Sequence, residues 1–540
     1  MDEKESVMEL NILAGGKQGS GVNKATEVLA EILAERGYFS FKYRDYGSLI
    51  EGGHSFNVLK ISDEKVDSHD RMVDIILAFD RETVDKHEER LKDGGELFRM
   101  YELDGVKKDR SYNMVAVGIA AHYLGVSEED VQKVLKDSFD EKYLEKNMEA
   151  VEKGFEASEK GEVLEELDND VRLMSGSEAI GEGAIASGID LYLAYPMTPA
   201  TPVLHYLAAK EGEEEMMTYQ LENELSVASA ALGAAHTGAK TMVGSSGGGV
   251  DLMQETTSMQ GISEIPMVLY LSQRAGAGSG VPTYTAQSDL EMAVKGGHGE
   301  FPRVVVAPGD ARESIKATNQ AFYFAENYRL LSVLLGDKHV AESDYSFESG
   351  VELEEVGRNI DTERKDGDYP NYKITDGGNS PRSVPGENVV KSSSYEHDEY
   401  GVTVEDSESV VDMTDKRMRK AEEVDRAVDS FETFKLHGNE DSDTLVVGWG
   451  STKGAIKDAV EELGYRFLQI IYLEPFPTEI RQYLSEAEDV YLVENNATGL
   501  LGDLMKEKVC FEIDDEKKVL KYDGRPFRKD ELVEKLGGGN

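Results

Sequence analysis

The sequence predicts an α/β protein composed of several doubly wound domains. Short apolar runs that read as buried strands recur along the chain, and most are followed by a glycine- or proline-rich loop and a stretch of helical periodicity. Strands that alternate with helices in this way are typical of parallel sheets covered by helices on both faces. At 540 residues, the chain has room for about three or four domains of ordinary size.

The first predicted domain covers residues 1–160. Residues 10–14 and 73–79 read as buried strands, and residues 25–33 and 113–124 read as helices. We therefore expect a small doubly wound sheet in this region.

A glycine cluster at residues 15–21 separates the first predicted strand from its helix. Backbone amides in such a place can bind an anion at the helix amino end. The cluster does not match a P-loop, because no Gly-Lys-Ser or Gly-Lys-Thr closes it, and it lacks the third glycine of a dinucleotide-binding fingerprint. Two interpretations stay open: a tight structural turn, or a contact to an anion or to the tail of a cofactor.

Three further regions follow the first domain. An α/β domain is predicted at 173–340, an acidic connecting segment at 341–440 and a last α/β domain at 441–540. The connecting segment is poor in apolar residues and rich in Asp, Glu, Ser and Gly, so its composition predicts mostly irregular structure. Strands are predicted at 241–243, 267–271, 303–306, 444–452 and 490–494, and Asp310 and Glu313 have the spacing of a capping box.

Acidic residues strongly outnumber basic ones, with 106 Asp and Glu against 58 Lys and Arg and a formal net charge of -48. This balance argues against binding of nucleic acid or of anionic lipid through a broad basic surface. An acidic excess along the whole chain predicts a halophilic host, because 1 M salt screens charges to within about 3 Å. An ordinary acidic protein with a solvated surface is the alternative.

Cys510 is the only cysteine. The chain therefore has no internal disulfide and cannot supply the four thiolates of an iron-sulfur or zinc site, so any iron-sulfur chemistry must belong to a partner. The acidic amino terminus lacks a signal peptide, and no apolar run reaches the roughly 18 residues of a membrane span. We therefore expect a soluble cytoplasmic protein with no membrane partner, and Cys510 as a buried or idle thiol.

The most informative motif is the loop at 195–202, in which three prolines follow the apolar run 188–194. Proline fixes φ and restricts the preceding residue, so the hydroxyl of Thr198 is held in a preset geometry where a strand ends. Ligands bind at the carboxyl ends of parallel strands, which makes this loop a candidate site. A rigid connection without chemistry is the alternative.

Three further stretches bear on the same site. Glu224 precedes an alanine-rich helix at 226–236, where it either complements the helix dipole or shares a proton with a heterocyclic nitrogen. The glycine loop at 244–249 lets backbone approach a ligand closely. Arg274 directly follows the strand at 267–271, where it could grip a carboxylate or form a structural ion pair.

If the strands of the second domain are parallel, these side chains and Thr283 converge at one sheet edge. That constellation suits a small anionic substrate beside a heterocyclic cofactor.

With these motifs the sequence resembles the alpha subunit of the 2-oxoacid:ferredoxin oxidoreductases, in the form in which a gamma subunit is fused ahead of alpha. The resemblance extends over nearly the whole chain. Its gamma part rests on the glycines at 15–21 and Gly-Gly-His at 52–54. The alpha part rests on Tyr-Pro-Met-Thr-Pro at 195–199, Glu-Asn-Glu at 222–224, Gln-Arg at 273–274, Pro-Thr at 282–283, Gln-Ser-Asp-Leu at 287–290, Ser-Pro-Arg at 380–382, Pro-Gly at 385–386, Glu-His-Asp-Glu-Tyr-Gly at 396–401, Lys-Arg at 416–417, Gly-Trp-Gly-Ser at 448–451, Pro-Phe-Pro at 475–477 and Glu-Asn-Asn at 494–496.

Three positions depart from the family pattern. Glu51 stands where an arginine usually precedes Gly-Gly-His, Gly248 stands where proline is usual, and Ala-Gly-Ser at 277–279 replaces Pro-Ser-Thr. We expect the last two to affect substrate preference more than reaction class, because the residues predicted to bind substrate and cofactor are kept.

The resemblance implies a gamma-like domain, a thiamine diphosphate-binding domain of the pyrimidine type and a carboxyl-terminal transketolase-C-like domain. It implies oxidative decarboxylation of a 2-oxoacid with coenzyme A, and transfer of two electrons, one at a time, to ferredoxin. Thiamine diphosphate would lie at the interface with a beta subunit, which would supply the Mg²⁺ contacts and an iron-sulfur cluster of the 4Fe-4S type. The fused architecture and the segment around His397 favour 2-oxoglutarate as substrate, with pyruvate next.

The resemblance also implies roles for individual residues. Glu224 would hydrogen-bond the aminopyrimidine ring of the cofactor. Thr198 and Arg274 would bind the carboxylate and keto group of the substrate, and Thr283 would shape that pocket. The remaining cofactor contacts would come from Tyr195, Pro196, Ser246 and Gly247.

Several alternatives stay open. The chain is a catalytically degenerate assembly subunit if the departure at 277–279 reflects a lost site. A nucleotide-dependent transferase acting through residues 15–21 lacks the phosphate-binding lysine of a P-loop. A metal site at 397–399 lacks a second cluster of ligands, which favours a solvated or hydrogen-bonded turn. The gamma-like domain is a candidate for contacts to coenzyme A.

Overall fold

The computed structural model describes residues 7–47, 52–105, 109–161 and 163–538, so that Glu51 lies outside the described residues. The strands are β1 Glu9–Lys17, β2 Phe39–Tyr46, β3 His54–Ser62, β4 Val73–Ala78, β5 Leu91–Arg99, β6 Val171–Ser175, β7 Leu191–Ala194, β8 Met217–Gln220, β9 Thr241–Ser245, β10 Met267–Gln273, β11 Arg303–Val306, β12 Leu331–Asp337, β13 Asp344–Glu348, β14 Phe434–Gly438, β15 Thr444–Trp449, β16 Arg466–Ile470, β17 Tyr472–Glu474, β18 Asp489–Glu494 and β19 Lys518–Leu520.

The α-helices are α1 Val22–Glu35, α2 Arg81–His87, α3 Tyr112–Tyr123, α4 Glu128–Ser138, α5 Glu141–Glu156, α6 Gly176–Ala186, α7 Thr201–Lys210, α8 Glu224–His236, α9 Gly247–Ser263, α10 Leu290–Lys295, α11 Ala311–Tyr328, α12 Lys338–Glu342, α13 Ser407–Val428, α14 Lys453–Leu463, α15 Arg481–Glu486, α16 Leu500–Val509 and α17 Lys529–Gly537. Across the described ranges, every helix is too short or too polar to span a lipid bilayer. The chain divides into two compact units, one of Met1–Ser175, Glu342–Gly350 and Phe527–Asn540, the other of Gly176–Ala341 and Val351–Pro526.

The first unit is built on a seven-stranded mixed sheet of order β5-β4-β1-β3-β2-β13-β6. The strands β1, β4 and β5 are parallel, whereas β3, β2, β13 and β6 each run antiparallel to their neighbours. The predicted strands and helices of this region are present as β1, β4, α1 and α3. The predicted α/β class is confirmed, with parallel pairing confined to one half of this sheet.

The glycine cluster at 15–21 joins the end of β1 to α1. A Cβ added at Gly16 would lie 2.7 Å from Ser20 Oγ and 2.8 Å from Phe79 Cβ, and one added at Gly21 would lie 2.8 Å from Asn113 Cβ. Gly21 also has a φ of 87° at the N-cap of α1, a conformation that favours glycine. Close packing and backbone conformation therefore account for two of these glycines, which supports the interpretation as a tight structural turn.

The second unit contains a seven-stranded sheet of order β17-β11-β12-β10-β9-β7-β8. Its neighbouring strands are parallel except β11 and β17. The three strands predicted between 241 and 306 are β9, β10 and β11, and the apolar run 188–194 provides the shorter β7. Every residue of β10 is buried, as expected for a parallel strand covered by helices on both faces.

A five-stranded sheet of order β14-β16-β15-β18-β19 completes the second unit, and only β14 runs antiparallel to its neighbour. The strands predicted at 444–452 and 490–494 are β15 and β18. One apolar core contains side chains from both sheets of this unit, including Leu269, Val333 and Val447. The strand β17, which follows this sheet's β16 in sequence, pairs instead with β11 of the larger sheet.

The capping residues predicted for the helix after β11 are confirmed, with one difference. Asp310 accepts a hydrogen bond from the Glu313 N–H at 2.7 Å and so caps α11. In an ordinary capping box the Glu313 carboxylate would accept from the N–H of the N-cap residue Asp310. Here it accepts instead from the N–H of the preceding Gly309, at 2.7 Å.

The region 341–440 is partly ordered as regular structure. Residues 351–406 form no helix or strand beyond isolated bridges, as the composition predicts. The 22-residue helix α13 departs from that prediction. The buried face of α13 carries Lys416 and Lys420 beside apolar residues. The helix is therefore stabilised by contacts with distant parts of the chain, which its own composition does not reveal.

A buried ionic cluster fixes α13 to the second unit. The Glu264 carboxylate accepts from Lys416 Nζ and Lys420 Nζ, both at 2.5 Å, and all three side chains are at most 1% exposed. Arg329 Nε donates to the Glu264 carbonyl oxygen at 3.1 Å. Although burial alone would raise it, the two ammonium groups hold the pKa of the Glu264 carboxyl well below its usual range.

The irregular part is held by further polar contacts. Arg382 and Glu326 form a buried ion pair at 3.3 Å. His397 is fully buried, and its ring nitrogens lie 3.0 and 3.1 Å from the carbonyl oxygens of Asp398 and Ile262. These contacts occupy both ring nitrogens, which favours the hydrogen-bonded turn over a metal ligand at this position. Within the described ranges, no three His, Cys, Asp or Glu side chains are grouped as metal ligands.

Cys510 follows the last residue of α16 and is exposed, so the interpretation as a buried thiol is wrong.

Candidate active site

The carboxyl ends of β7, β9 and β10 meet at one edge of the larger sheet. These three strands are parallel neighbours, in the order β10-β9-β7. The proline loop follows β7, the glycine loop follows β9, and Arg274 follows β10. The sheet thus brings three of the predicted site segments to the edge at which ligands bind in parallel α/β proteins.

The proline loop contacts Arg274 through its backbone. Arg274 Nη1 donates to the Thr198 carbonyl oxygen at 2.8 Å, while Thr198 itself is partly buried. Tyr195 is 38% exposed, and Pro196 is partly buried. The arginine and the threonine are therefore adjacent, and their contact is made by the threonine carbonyl rather than by its hydroxyl.

Glu224 opens α8 with a buried carboxylate. The helix is capped by the neighbouring Asn223, whose Oδ1 accepts from the Ser226 N–H at 2.9 Å, so Glu224 is not needed as a cap. The Glu224 residue is 5% exposed. Among the described residues, no side chain or backbone group donates a hydrogen bond or forms an ion pair with its carboxylate. A buried carboxylate without a protein partner is costly, so a bound ligand is its expected partner.

The first turn of α9 lies against this carboxylate. A Cβ added at Gly249 would lie 2.8 Å from Glu224 Cγ and 2.9 Å from Oε1, and it would clash with Ser245 Oγ. The N-cap residue Ser246 is fully buried, and within the described part of the chain its Oγ has no hydrogen-bond partner. The glycine loop therefore allows close approach to Glu224 and leaves a second polar atom ready for a ligand.

The loop after Arg274 is closed by its own backbone. The Ala275 N–H donates to the Tyr284 carbonyl at 3.0 Å, and the Val281 N–H donates to the Ala275 carbonyl at 2.7 Å. Gly280 has a φ of 52°, and a Cβ there would clash with the Ala275 carbonyl oxygen. The departure from the family pattern at 277–279 thus belongs to a compact loop. Its Gly278 carbonyl oxygen lies close to Gly248, where an added Cβ would be 3.5 Å away.

Thr283 follows this loop and is 6% exposed. In the described residues it shares no hydrogen bond with the other predicted site side chains. The structure therefore places Thr283 near the predicted loop without joining it to Thr198, Glu224 or Arg274.

Asp289 is a site residue to which the sequence assigned no role. Its N–H donates to Gln273 Oε1 at 2.9 Å, directly before Arg274. A Cβ added at Gly247 would lie 2.6 Å from Asp289 Oδ2. Burial raises the pKa of Asp289 to about 6, against the opposing effect of Arg274. The signal for it in the sequence is the Gln-Ser-Asp-Leu motif at 287–290, which belongs to the family resemblance.

The chain is similar to known proteins along almost its whole length. Residues 182–416 match the family described as pyruvate flavodoxin/ferredoxin oxidoreductase, thiamine diP-bdg, and residues 11–104 and 99–157 match pyruvate ferredoxin/flavodoxin oxidoreductase. The 2-oxoacid:ferredoxin oxidoreductase subunit alpha of a Sulfolobus species is 30% identical over 98% of this chain and 96% of its own length. The 2-oxoglutarate synthase subunit KorA of Methanocaldococcus jannaschii is 28% identical over 67% of this chain and 98% of its own length.

A solved structure extends the likeness to the fold. It is the 2-oxoglutarate:ferredoxin oxidoreductase from Magnetococcus marinus with 2-oxoglutarate, coenzyme A and succinyl-CoA bound. The match covers 98% of this chain and 99% of that one, with a TM-score of 0.87 and 26% identity. The fold and a relative that is 30% identical over almost the whole length agree, and the chain belongs to the family of 2-oxoacid:ferredoxin oxidoreductase alpha subunits.

Proposed function

We propose that this chain is the catalytic alpha subunit, with a gamma-like region fused ahead of it, of a complex that oxidatively decarboxylates a 2-oxoacid. In the overall reaction, a 2-oxoacid and coenzyme A give acyl-CoA and CO₂, and two electrons reduce two ferredoxin molecules singly. The observation that carries the proposal is the buried Glu224 carboxylate, which lacks a protein partner at the same sheet edge as Arg274.

The residues at this edge fit thiamine diphosphate. Ser246 presents a buried oxygen atom without a partner in the described part of the chain, and Glu224 is only 5% exposed. Gly249 leaves room where a side chain would clash with Glu224. When bound, the cofactor supplies a carbon nucleophile and an electron sink for decarboxylation. In this proposal the Glu224 carboxyl shares a proton with the aminopyrimidine ring through a hydrogen bond. The other residues proposed to contact the cofactor are Tyr195, Pro196, Ser246 and Gly247.

Arg274 is the proposed anchor for the carboxylate of the substrate. Its Nη1 donates to the Thr198 carbonyl oxygen, which holds one side of the guanidinium at this sheet edge. A guanidinium held in this way can offer parallel N–H groups to a carboxylate. We assign the keto group to Thr198 and Arg274 together and a share of the pocket wall to Thr283. The substrate proposed first is 2-oxoglutarate, with pyruvate second, in line with the names of the relatives.

The missing parts of the site are proposed to come from a beta subunit, in a heterodimer or a dimer of heterodimers. The helices that open at Glu224 and Gly247 expose Leu225, Leu252 and Met259, which are 48%, 50% and 39% exposed. Three large apolar side chains on helices that begin at the site are expected where another subunit covers it. The beta subunit would carry a 4Fe-4S cluster, because this chain has a single cysteine. It would also carry Mg²⁺, as the family resemblance implies.

An assay of the native complex tests this function directly. The chain is purified with its partner from the native host in high salt, and reduction of ferredoxin or a viologen dye is followed with each 2-oxoacid, with and without coenzyme A. We expect reduction that requires both a 2-oxoacid and coenzyme A. A complex that contains both subunits, bound cofactor and iron, but that is inactive with every 2-oxoacid tested, would favour the degenerate assembly subunit.

We also propose that the protein works in the cytoplasm of a halophilic host. The formal net charge of -48 means strong self-repulsion at low salt, where the screening length is about 10 Å at 0.1 M against about 3 Å at 1 M. We expect the chain to lose its tertiary structure in dilute buffer and to regain it in molar KCl. Circular dichroism melts over a KCl series measure this, and a melting temperature that does not change with salt would contradict halophily.

A further inference from the structure

Asp289 occupies a capping position that it does not use. It is the N-cap residue of α10, yet its carboxylate makes no cap hydrogen bond to that helix. Aspartate at an N-cap ordinarily accepts from the second or third N–H of its own helix. Here the carboxylate faces the first turn of α9, where a Cβ at Gly247 would lie 2.6 Å from Oδ2, 3.0 Å from Cγ and 3.1 Å from Oδ1. A contact outside its own helix therefore decides its orientation.

The backbone of Asp289 is tied to the strand that presents Arg274. Its N–H donates to Gln273 Oε1 at 2.9 Å, and Gln273 Nε2 donates to the Gly336 carbonyl oxygen at 3.2 Å. Gln273 is fully buried at the end of β10. This chain of hydrogen bonds fixes the distance between the backbone of Asp289 and that of Arg274.

The two side chains interact electrostatically across the site. Arg274 opposes the rise in the pKa of Asp289 caused by burial, and Asp289 in turn opposes the fall in the pKa of Arg274 caused by burial. Within the described residues they do not close into a direct ion pair, since the recorded partner of the guanidinium is the Thr198 carbonyl. The guanidinium is thus held on one side by a carbonyl oxygen and attracted on another by a carboxylate.

We propose that Asp289 is a positioning residue that orients the Arg274 guanidinium for the carboxylate of the 2-oxoacid. The inference rests on the proposed role of Arg274 and adds to it the group that keeps the arginine in place. The ionised carboxylate attracts the guanidinium towards the first turn of α9. Without that charge, the arginine keeps only the single hydrogen bond to Thr198 and can turn about it.

The groups that face Asp289 set the pH range of this effect. Arg274 approaches from the end of β10, Ser288 donates a hydrogen bond, and the first turn of α9 carries no charged side chain. Burial dominates and raises the pKa of Asp289 to about 6. The carboxylate is therefore mostly ionised at neutral pH and becomes protonated as the pH falls through about 6, so the positioning effect is present at neutral pH and lost progressively on acidification.

The test compares Asp289→Asn with Glu291→Gln in the assembled complex. Glu291 is an exposed carboxylate in the first turn of the same helix, so its variant removes an equal charge away from the site. At pH 7.5 we expect Asp289→Asn to lower kcat/KM for the 2-oxoacid by about 10- to 100-fold, mainly through KM, and to weaken oxamate binding in calorimetry. Glu291→Gln should change neither.

The pH profile separates positioning from a structural role. Wild-type kcat/KM should fall as the pH drops through about 6 and approach the value of Asp289→Asn, which should be flat over that range. Size-exclusion chromatography at each pH confirms that the complex is intact. The inference would be overturned by an Asp289→Asn variant that has the wild-type KM and whose kcat/KM still falls as the pH drops through about 6.

Arg274→Gln distinguishes failure of this inference from failure of the proposed site. If Arg274→Gln raises KM and Asp289→Asn does not, Arg274 binds the substrate and Asp289 does not position it. If neither variant changes KM or oxamate binding, the proposed substrate site is itself wrong.

Discussion

A Glu224→Ala variant, assembled with its partner subunit, should lose about 10²- to 10⁴-fold in kcat. The carboxylate is buried and, among the described residues, makes no hydrogen bond to the protein, so the role left for it is contact with a bound ligand. Removing it deletes the group that is proposed to hydrogen-bond the aminopyrimidine ring of the cofactor. The measurement is steady-state reduction of a viologen dye with saturating 2-oxoacid and coenzyme A.

Glu222→Ala is the matched control for this variant. Glu222 lies two residues earlier in the same loop and is exposed. Its carboxylate accepts a hydrogen bond from Ser226 Oγ at 2.5 Å, a local contact at the start of α8. We expect its kcat to remain within about twofold of wild type, since a surface substitution away from the site has little effect. Glu224→Gln keeps the side-chain volume and should fail like Glu224→Ala. Unchanged turnover in both Glu224 variants would eliminate the assigned role.

The largest effect on stability is expected from Glu264→Gln. This change leaves the ammonium groups of Lys416 and Lys420 buried without a counter-ion at 0% and 1% exposure. Breaking a buried ion pair by removing one partner costs about 3–5 kcal/mol, because the remaining charge stays in a medium of low polarity. Denaturant unfolding of the purified chain in high salt should show this loss as a lower midpoint.

An exposed ion pair provides the comparison for this loss. Lys391 and Asp368 lie 2.5 Å apart with side chains 44% and 41% exposed, so Asp368→Asn should cost less than about 1 kcal/mol. Proteolysis adds a local readout, because α13 should become the first site of cleavage in Glu264→Gln. Equal stability losses in the two variants would show that the buried cluster does not anchor α13.

The local elements of this protein could be predicted from its sequence. Short, mainly apolar runs predicted β9, β10 and β11, since strands covered on both faces are rich in apolar residues along their length. Asp310 could be identified as a cap because its side chain satisfies amides only three residues away. The segment around α13 could not be predicted in this way. Its buried face includes lysines, and their counter-ion Glu264 lies more than 150 residues earlier for both of them.

The candidate site was predictable in its location and only partly in its contacts. The segments around Thr198, Glu224 and Arg274 were expected at one edge, because parallel strands end at the same side of a sheet. The contact from Arg274 to the Thr198 carbonyl was not, since it joins groups 76 residues apart through the backbone. The sequence assigned no role to Asp289, and only the tertiary structure places its carboxylate against Gly247.

The sequence by itself determined the α/β class, the strands and helices that repeat along the chain, and the family to which the motifs belong. These depend on patterns that recur every two to four residues and on short stretches of fixed chemistry. The tertiary structure alone decided that β13 joins the first sheet, that β17 pairs with β11, and that Glu264 binds two distant lysines. Such contacts depend on which surfaces meet when the elements pack, and residues far apart in the chain leave no local pattern that records their meeting.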